Sequence, residues 1–416
     1  MKINFPAGFL WGAATSAHQV EGGCLNNWSE WEKKNAHRLA SEVNSKWQDW
    51  QKRQFPEMFY TDNYISGRAC DHYHLYEKDF DMSKELGHNA HRFSIEWSRV
   101  EPEEGKFDEG EIEHYRKVLQ ALRDRELKPF ITLWHWTNPL WLEKQGGVMA
   151  KDFEKHFSRY AQRMASAFGD LVDFWITINE PMSVIPNCYV KGIWTPQKKN
   201  PFLALRAYRK LSEAHIAGYH AIHSVKPGCK VGFANIMAYN EPLNGKSLLD
   251  NMVVSIADHF GNRKFLQMTK GHNDFLALQY YFHNRLSFFS GRQNENQKIS
   301  DLGWELYPEG IYHLLKELAM YKLPIYVTEN GLADAKDNNR TWFIQESLKW
   351  THRAIQEGVD VRGYFYWSLL DNFEWDKGFW PRFGLVEVDY ETMERKIRPS
   401  AWAYAKICKT NSLEVD

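Results

Sequence analysis

The chain has 416 residues, 43% of them hydrophobic: enough for a large core, and a length that fits one α/β barrel with insertions. Lysine plus arginine total 52 against 53 acidic residues, a net charge of −1, which argues against nucleic acid or an acidic membrane surface as the main partner. Cys24, Cys70, Cys188, Cys229 and Cys408 are scattered without CxxC spacing, which argues against a disulfide framework or a zinc site, and no run is long and apolar enough to span a bilayer.

The N-terminus has a signal-like outline, Lys2 followed by apolar residues and Ala14-Thr15-Ser16-Ala17. Pro6, Gly8 and Gly12 interrupt it, so it reads as an entry loop and a first strand, and the expected location is the cytoplasm. Strand-like runs follow at 10–14, 90–95, 129–133, 174–179, 230–234, 275–281, 325–329 and 363–367. Helical patterns alternate with them, such as Ile112, Tyr115, Val118, Leu119 and Leu122 on one face, then Phe157, Tyr160, Ala161 and Met164, then a helix over 342–356. Eight such units without a break in composition predict a single (β/α)8 TIM barrel, one domain over 1–416, with loop insertions on the catalytic face. An open doubly wound sheet is the weaker reading, because no glycine-rich phosphate turn follows the first strand. The polar, Trp-rich stretch 33–68 reads as a long loop at that face, and 371–389 as an irregular segment after the eighth strand.

Two strands end on a carboxylate: Ile178-Asn179-Glu180-Pro181 and Val327-Thr328-Glu329-Asn330-Gly331. In a barrel both reach the C-terminal rim, and a pair of carboxyls with different environments is the machinery of glycoside hydrolysis. Other rim positions are polar or aromatic: His18, Gln19 and Glu21, then Arg92 and Glu96, His135 and Trp136, Asn235, Tyr280 and Tyr281, Asn330, Trp367, Glu374 and Trp375. Aromatic residues form 15% of the chain, with 18 tryptophans; most must fill core, but such rings also suit the C–H faces of sugars. Trp97, Trp141 and Trp175 read as packing, and His72 and His74 as structural.

The two carboxylate motifs resemble the signatures of the family 1 glycoside hydrolases. So do Phe9-Leu10-Trp11-Gly12-Ala13-Ala14-Thr15-Ser16, the run Arg92 to Arg99, the run Trp367 to Trp375, and Arg382-Phe383-Gly384-Leu385, all in the family's order. The resemblance implies hydrolysis of β-linked sugars with retention. It places the acid/base on Glu180 and the nucleophile on Glu329, about 5 Å apart. It further implies that Arg92 and Tyr281 support Glu329, that Asn179 meets the sugar 2-hydroxyl, and that Gln19, His135, Glu374 and Trp375 grip the non-reducing sugar over Trp367. Trp136 and Trp304 are the expected leaving-group platform. No cofactor or metal is expected. The expected substrate is a small-molecule β-glycoside or oligosaccharide, a β-glucoside first, with galactoside and fucoside as alternatives; an acidic Glu374 argues against 6-phosphosugars. Met182, Thr137-Asn138-Pro139 and Gln279 depart from the family pattern and bear on leaving-group preference. A transglycosylase with the same intermediate, or a sugar-binding barrel without catalysis, are the rival readings. Oligomeric state is not legible.

Overall fold

The computed structural model describes residues 2–415. Eight parallel strands close into a cylinder: β1 (Leu10–Ala14), β2 (Ala90–Ser94), β3 (Lys128–Trp134), β4 (Phe174–Asn179), β5 (Lys230–Pro242), β6 (Leu276–Ser287), β7 (Ile325–Asn330) and β8 (Val361–Trp367). Each strand pairs with its neighbour in sequence, and β8 pairs back onto β1 with Trp367 opposite Ala14. Closure leaves the barrel itself without a sheet edge.

The helices α1 (Asn27–Ser41), α2 (His72–Glu85), α3 (Glu109–Asp124), α4 (Phe153–Phe168), α5 (Pro201–Val225), α6 (Leu248–Asp258), α7 (Gly310–Leu318), α8 (Arg340–Gln356) and α9 (Pro399–Thr410) follow in order. From α2 onward they alternate with the strands, as a right-handed series of crossovers requires. Helix α4 covers the 16 residues from Phe153 to Phe168 and buries Phe157, Tyr160, Ala161 and Met164, the stripe its sequence shows. Trp97 and Trp175 are fully buried, and Trp141 packs half-buried against the core.

Inside the cylinder an aromatic plug closes the N-terminal end. Phe130, Phe275, Tyr326 and Phe365 meet there, with Phe130 stacked on Phe174 at 4.2 Å and in contact with Phe365 at 4.8 Å. The small residues Ala90, Ala234 and Ala277 leave room for these rings. The interior is thus packed solid below, and polar groups can stand only at the other end.

Three departures from the sequence reading have local causes. The stretch 33–68 is no loop: it continues α1 and adds the helices Val43–Lys46 and Asp49–Gln54 and two 3-10 turns. Asn26 starts α1 by accepting the backbone N–H groups of Trp28 and Ser29, and Trp28 and Trp31 are buried beneath it. The segment 371–389 holds a short strand, Val386–Val388, paired with Arg395–Ile397. Strands β5 and β6 run well past the rim, paired from Ala234↔Ala277 to Pro242↔Leu286 with one irregularity between Met237 and Ala238, where the register moves by one residue.

Candidate active site

The rim residues converge on one cavity of about 440 Å³, a size suited to a small ligand. Gln19, His135, Trp136, Asn179, Glu180, Tyr281, Trp304, Glu329, Trp367, Glu374 and Trp375 all line it. Arg92 lies just beneath, fully buried. Strand register explains the convergence: Ala14 stands beside Arg92 across β1 and β2, and Gln279 beside Glu329 across β6 and β7.

Glu329 is held from two sides. Arg92 Nη1 donates a short hydrogen bond to Oε1, and the Tyr281 hydroxyl donates to Oε2 at 2.8 Å. Arg92 is itself aimed by Thr132 Oγ1 at 3.2 Å and by Asn179 Oδ1 at 2.5 Å. Gln279 Nε2 donates to that same Asn179 oxygen at 3.0 Å. With Oδ1 occupied twice, the Asn179 amide nitrogen must point the other way; it lies 3.1 Å from His135 Nε2. The Trp136 indole donates to the Asn179 carbonyl at 3.0 Å.

Glu180 has a sparser setting. Among the described residues its one side-chain partner is the Ser183 hydroxyl, which donates to Oε2 at 2.7 Å. Its backbone adopts a left-handed φ of 40°, and Pro181 then begins a helical turn. Trp136 at 76° and Trp375 at 49° share that region, so three residues of one cavity hold conformations that cost about 1–3 kcal/mol each. Close packing enforces the geometry on the opposite wall as well: a Cβ on Gly331 would collide with the Trp367 carbonyl oxygen, so only glycine lets β7 and β8 approach there.

Charge separates the two carboxyls. Burial, then the Glu329 charge, pushes the Glu180 carboxyl well above the ordinary carboxylate range, with only Ser183 and Arg92 opposing. Burial raises Glu329 too, but the Arg92 charge and the hydrogen bonds from Tyr281, Arg92 and Gln279 pull against it. When one proton is shared between them, it belongs on Glu180.

A sequence model described as "Glycosyl hydrolase family 1" matches residues 1–280 and 266–413. The chain belongs to glycosyl hydrolase family 1. Among solved structures, the beta-glycosidase from Pyrococcus horikoshii is similar with a TM-score of 0.87 at 35% identity, covering 100% of this chain and 97% of that one. The beta-glucosidase from Thermotoga maritima in complex with glucoimidazole matches with a TM-score of 0.85 at 29% identity, covering 98% and 99%. Of curated relatives, the 1,4-beta-D-glucan glucohydrolase of Thermotoga neapolitana is 31% identical over 98% of this chain and 99% of its own. The beta-galactosidase of Pyrococcus woesei is 30% identical over 94% of each.

Several rim residues of this family 1 chain turn away from the cavity. His18 pairs with Glu32 at 2.6 Å, Glu21 with Arg99 at 2.9 Å, and Glu96 accepts from Ser98 at 2.8 Å and Thr137 at 3.0 Å. Asn235 donates to the Asn262 carbonyl, Tyr280 to the Tyr307 carbonyl and Asn330 to the Tyr280 carbonyl. His72 is paired with Asp79 in the core. Ser183 was missed; its signal was a hydroxyl three residues past Glu180, one turn along the new helix. Trp194, packed on Trp136 at 4.9 Å, and Lys377 also reach the cavity and carry no motif that marks them.

The Gln19 amide donates to Asn372 Oδ1 at 3.0 Å and to Glu374 Oε2 at 3.3 Å, so a residue of the short helix after β1 (Ala17–Val20) fixes the carboxyl on the last loop. Burial pushes Glu374 up to about 8, against the nearby Lys377 charge. At that value the protonated form predominates near neutrality, and charge repulsion alone excludes phosphate less strongly than the sequence implies. The folded chain keeps a proton here that the unfolded chain releases above about 4.5. The stability this adds is complete below that pH and is lost as pH rises toward 8. Glu374→Gln should shrink the fall in melting temperature between pH 5 and pH 8, read by calorimetry; an undiminished fall would mean that the carboxyl is ionised throughout.

Proposed function

We propose that the chain is a retaining β-glycosidase that removes terminal, non-reducing β-D-glucosyl residues and also accepts β-D-galactosyl and β-D-fucosyl ones. One arrangement carries the reading: two buried carboxyls of unequal proton affinity, from β4 and β7, facing one sugar-sized cavity. Ionised Glu329 attacks the anomeric carbon while Glu180 hands its proton to the glycosidic oxygen, and the aglycone departs. A glycosyl ester on Glu329 results. Water then attacks that carbon as Glu180, now a carboxylate, takes its proton; Glu329 leaves, and two inversions give net retention.

The remaining roles follow from the hydrogen bonds. Asn179, its oxygen already occupied by Arg92 and Gln279, donates its amide to the sugar 2-hydroxyl. Gln19, His135 and Glu374 take the hydroxyls at the non-reducing end, and Trp367 and Trp375 cover the ring faces. Neutral His135 has a free Nδ1, and burial with the Arg92 charge holds its proton affinity well down, so it serves as a neutral donor. Trp136 and Trp304 flank the leaving group. Relatives named for β-glucosidase and β-galactosidase activity, and a relative solved with glucoimidazole, support the substrate class. We treat residues 1–416 as one domain and place it in the cytoplasm, in keeping with five unpaired cysteines.

A panel of aryl β-glycosides tests the reading. Glucoside, galactoside and fucoside should fall within about two orders of magnitude in kcat/KM, because a hydroxyl epimer changes only a few hydrogen bonds, and the 6-phosphoglucoside should be the poorest. The first-formed sugar should be the β-anomer by proton NMR. An α-anomer, or no turnover of any member, would overturn it.

A further inference from the structure

Apolar side chains and unpaired cations share one outer face of the molecule. Leu248, Met252 and Ile256 follow at intervals of four along α6, and Phe260 continues the row just past its end; all four are exposed. The one fully buried residue of α6 is Asp250. It accepts the backbone N–H groups of Phe288 at 2.9 Å and Asn244 at 3.3 Å, which pins the polar side of the helix inward and ties it to the turn after β6. Phe289 in that turn is 85% exposed, and Leu248 is 87% exposed. Helix α5 joins the same face, because the Tyr208 hydroxyl donates to the Phe260 carbonyl at 2.6 Å. Leu205 and Phe202 stand one and two turns earlier on α5, the latter 79% exposed. A contiguous apolar patch of this kind marks an interaction site.

The charges around the patch are of one sign. No aspartate or glutamate occurs between Glu180 and Glu213, between Glu241 and Asp250, or between Asp274 and Glu295. Those stretches carry Lys198, Lys199, Arg206, Lys246 and Arg292, all exposed and none in a salt bridge among the described residues. The neighbouring acids are already engaged: Glu213 by Arg209, Asp258 by Asn240 at 2.8 Å, and Glu295 by Arg285. With a net charge of −1 over the whole chain, this excess of cations is local.

We propose that this face docks on an anionic lipid surface, with Leu248, Phe289 and Phe202 entering the headgroup layer and the cations meeting lipid phosphates. Apolar side chains that stand far out need a soft medium rather than a shaped pocket, and lysine and arginine around them are the pattern of interfacial binding. A second copy of the chain fits worse. A two-fold contact sets the face against itself, cation against cation, with the acids beside it already paired. The anionic leaflet is the one that faces the cytoplasm. Ala257 of α6 and Gly261 beside Phe260 form part of the cavity wall, so docking holds the cavity mouth close to the lipid. The inference uses no catalytic residue and goes beyond the glycosidase reading.

The test is co-sedimentation of the full chain with vesicles of pure phosphatidylcholine and of phosphatidylcholine with about 30% phosphatidylglycerol, in about 0.1 M salt. Each basic residue at an anionic surface is worth about fivefold, so partition onto the anionic vesicles should exceed that onto the neutral ones by at least about 100-fold. Salt at about 0.5 M should cut that advantage by about tenfold or more. Leu248→Ser/Phe289→Ser should lower partition onto the anionic vesicles by about 30-fold. Lys246→Glu/Arg292→Glu should reduce the preference for them by about 25-fold or more. Unshifted melting curves check that both variants fold, and the wild type's salt dependence decides the point without them. Equal partition onto the two vesicle types, or binding that survives the serines, overturns the proposal. A wild-type dimer that the serines dissociate, without vesicle binding, also overturns it and assigns the face to self-association.

Discussion

Glu329→Gln should lower kcat/KM for an aryl β-glucoside by about four orders of magnitude or more, because the amide cannot form the glycosyl ester. The substitution is nearly isosteric, and its carbonyl oxygen can still accept from Arg92, so the fold should survive. Glu329→Ala is harsher. It leaves the fully buried Arg92 charge without its partner, a loss of about 3–5 kcal/mol when one member of a buried pair is removed. The informative contrast is chemical. In Glu329→Ala a small anion such as azide can occupy the vacated space and attack the same carbon once, giving the α-glycosyl product. Single-turnover kinetics and the anomeric configuration of that product measure both effects. Near-normal turnover by Glu329→Gln would end the assignment.

Removal of Glu180 should act in proportion to how badly the leaving group needs a proton. For an alkyl β-glucoside, Glu180→Ala should cost about 10²–10⁴-fold in kcat/KM, the usual range for general acid catalysis. For a 2,4-dinitrophenyl glucoside, whose phenolate leaves unaided, the first step should change by less than about tenfold, and loss of the general base should then let the glycosyl-enzyme accumulate as a burst. The pH profile gives an independent sign. The acid form of Glu180 is the active one, so wild-type kcat/KM falls as pH rises through its proton affinity. Burial and the Glu329 charge push that point well up, which keeps the acid form present near neutrality. Protonation of Glu329 sets the acidic limb, and the two limbs report the pair as a unit. In Glu180→Ala the basic limb should vanish while the acidic limb persists. A variant that keeps both limbs would show that another group supplies the proton.

The eight strand-forming runs and the two carboxyls at the ends of β4 and β7 are legible along the chain. Both are local properties: β-branched apolar runs of five or six residues form strands wherever they are buried on both faces, and Pro181 and Gly331 stop two of them just past a glutamate. Which rim residue looks inward is set by the folded arrangement. Glu96 and Glu180 both follow a buried strand, yet Glu96 is spent on Ser98 and Thr137, while Glu180 is turned into the cavity by its left-handed backbone. The sharing of Asn179 Oδ1 between Arg92 and Gln279 and the proton held on Glu374 belong to the same class. Each depends on which distant groups the closed cylinder brings within about 3 Å, and no spacing along the chain encodes that.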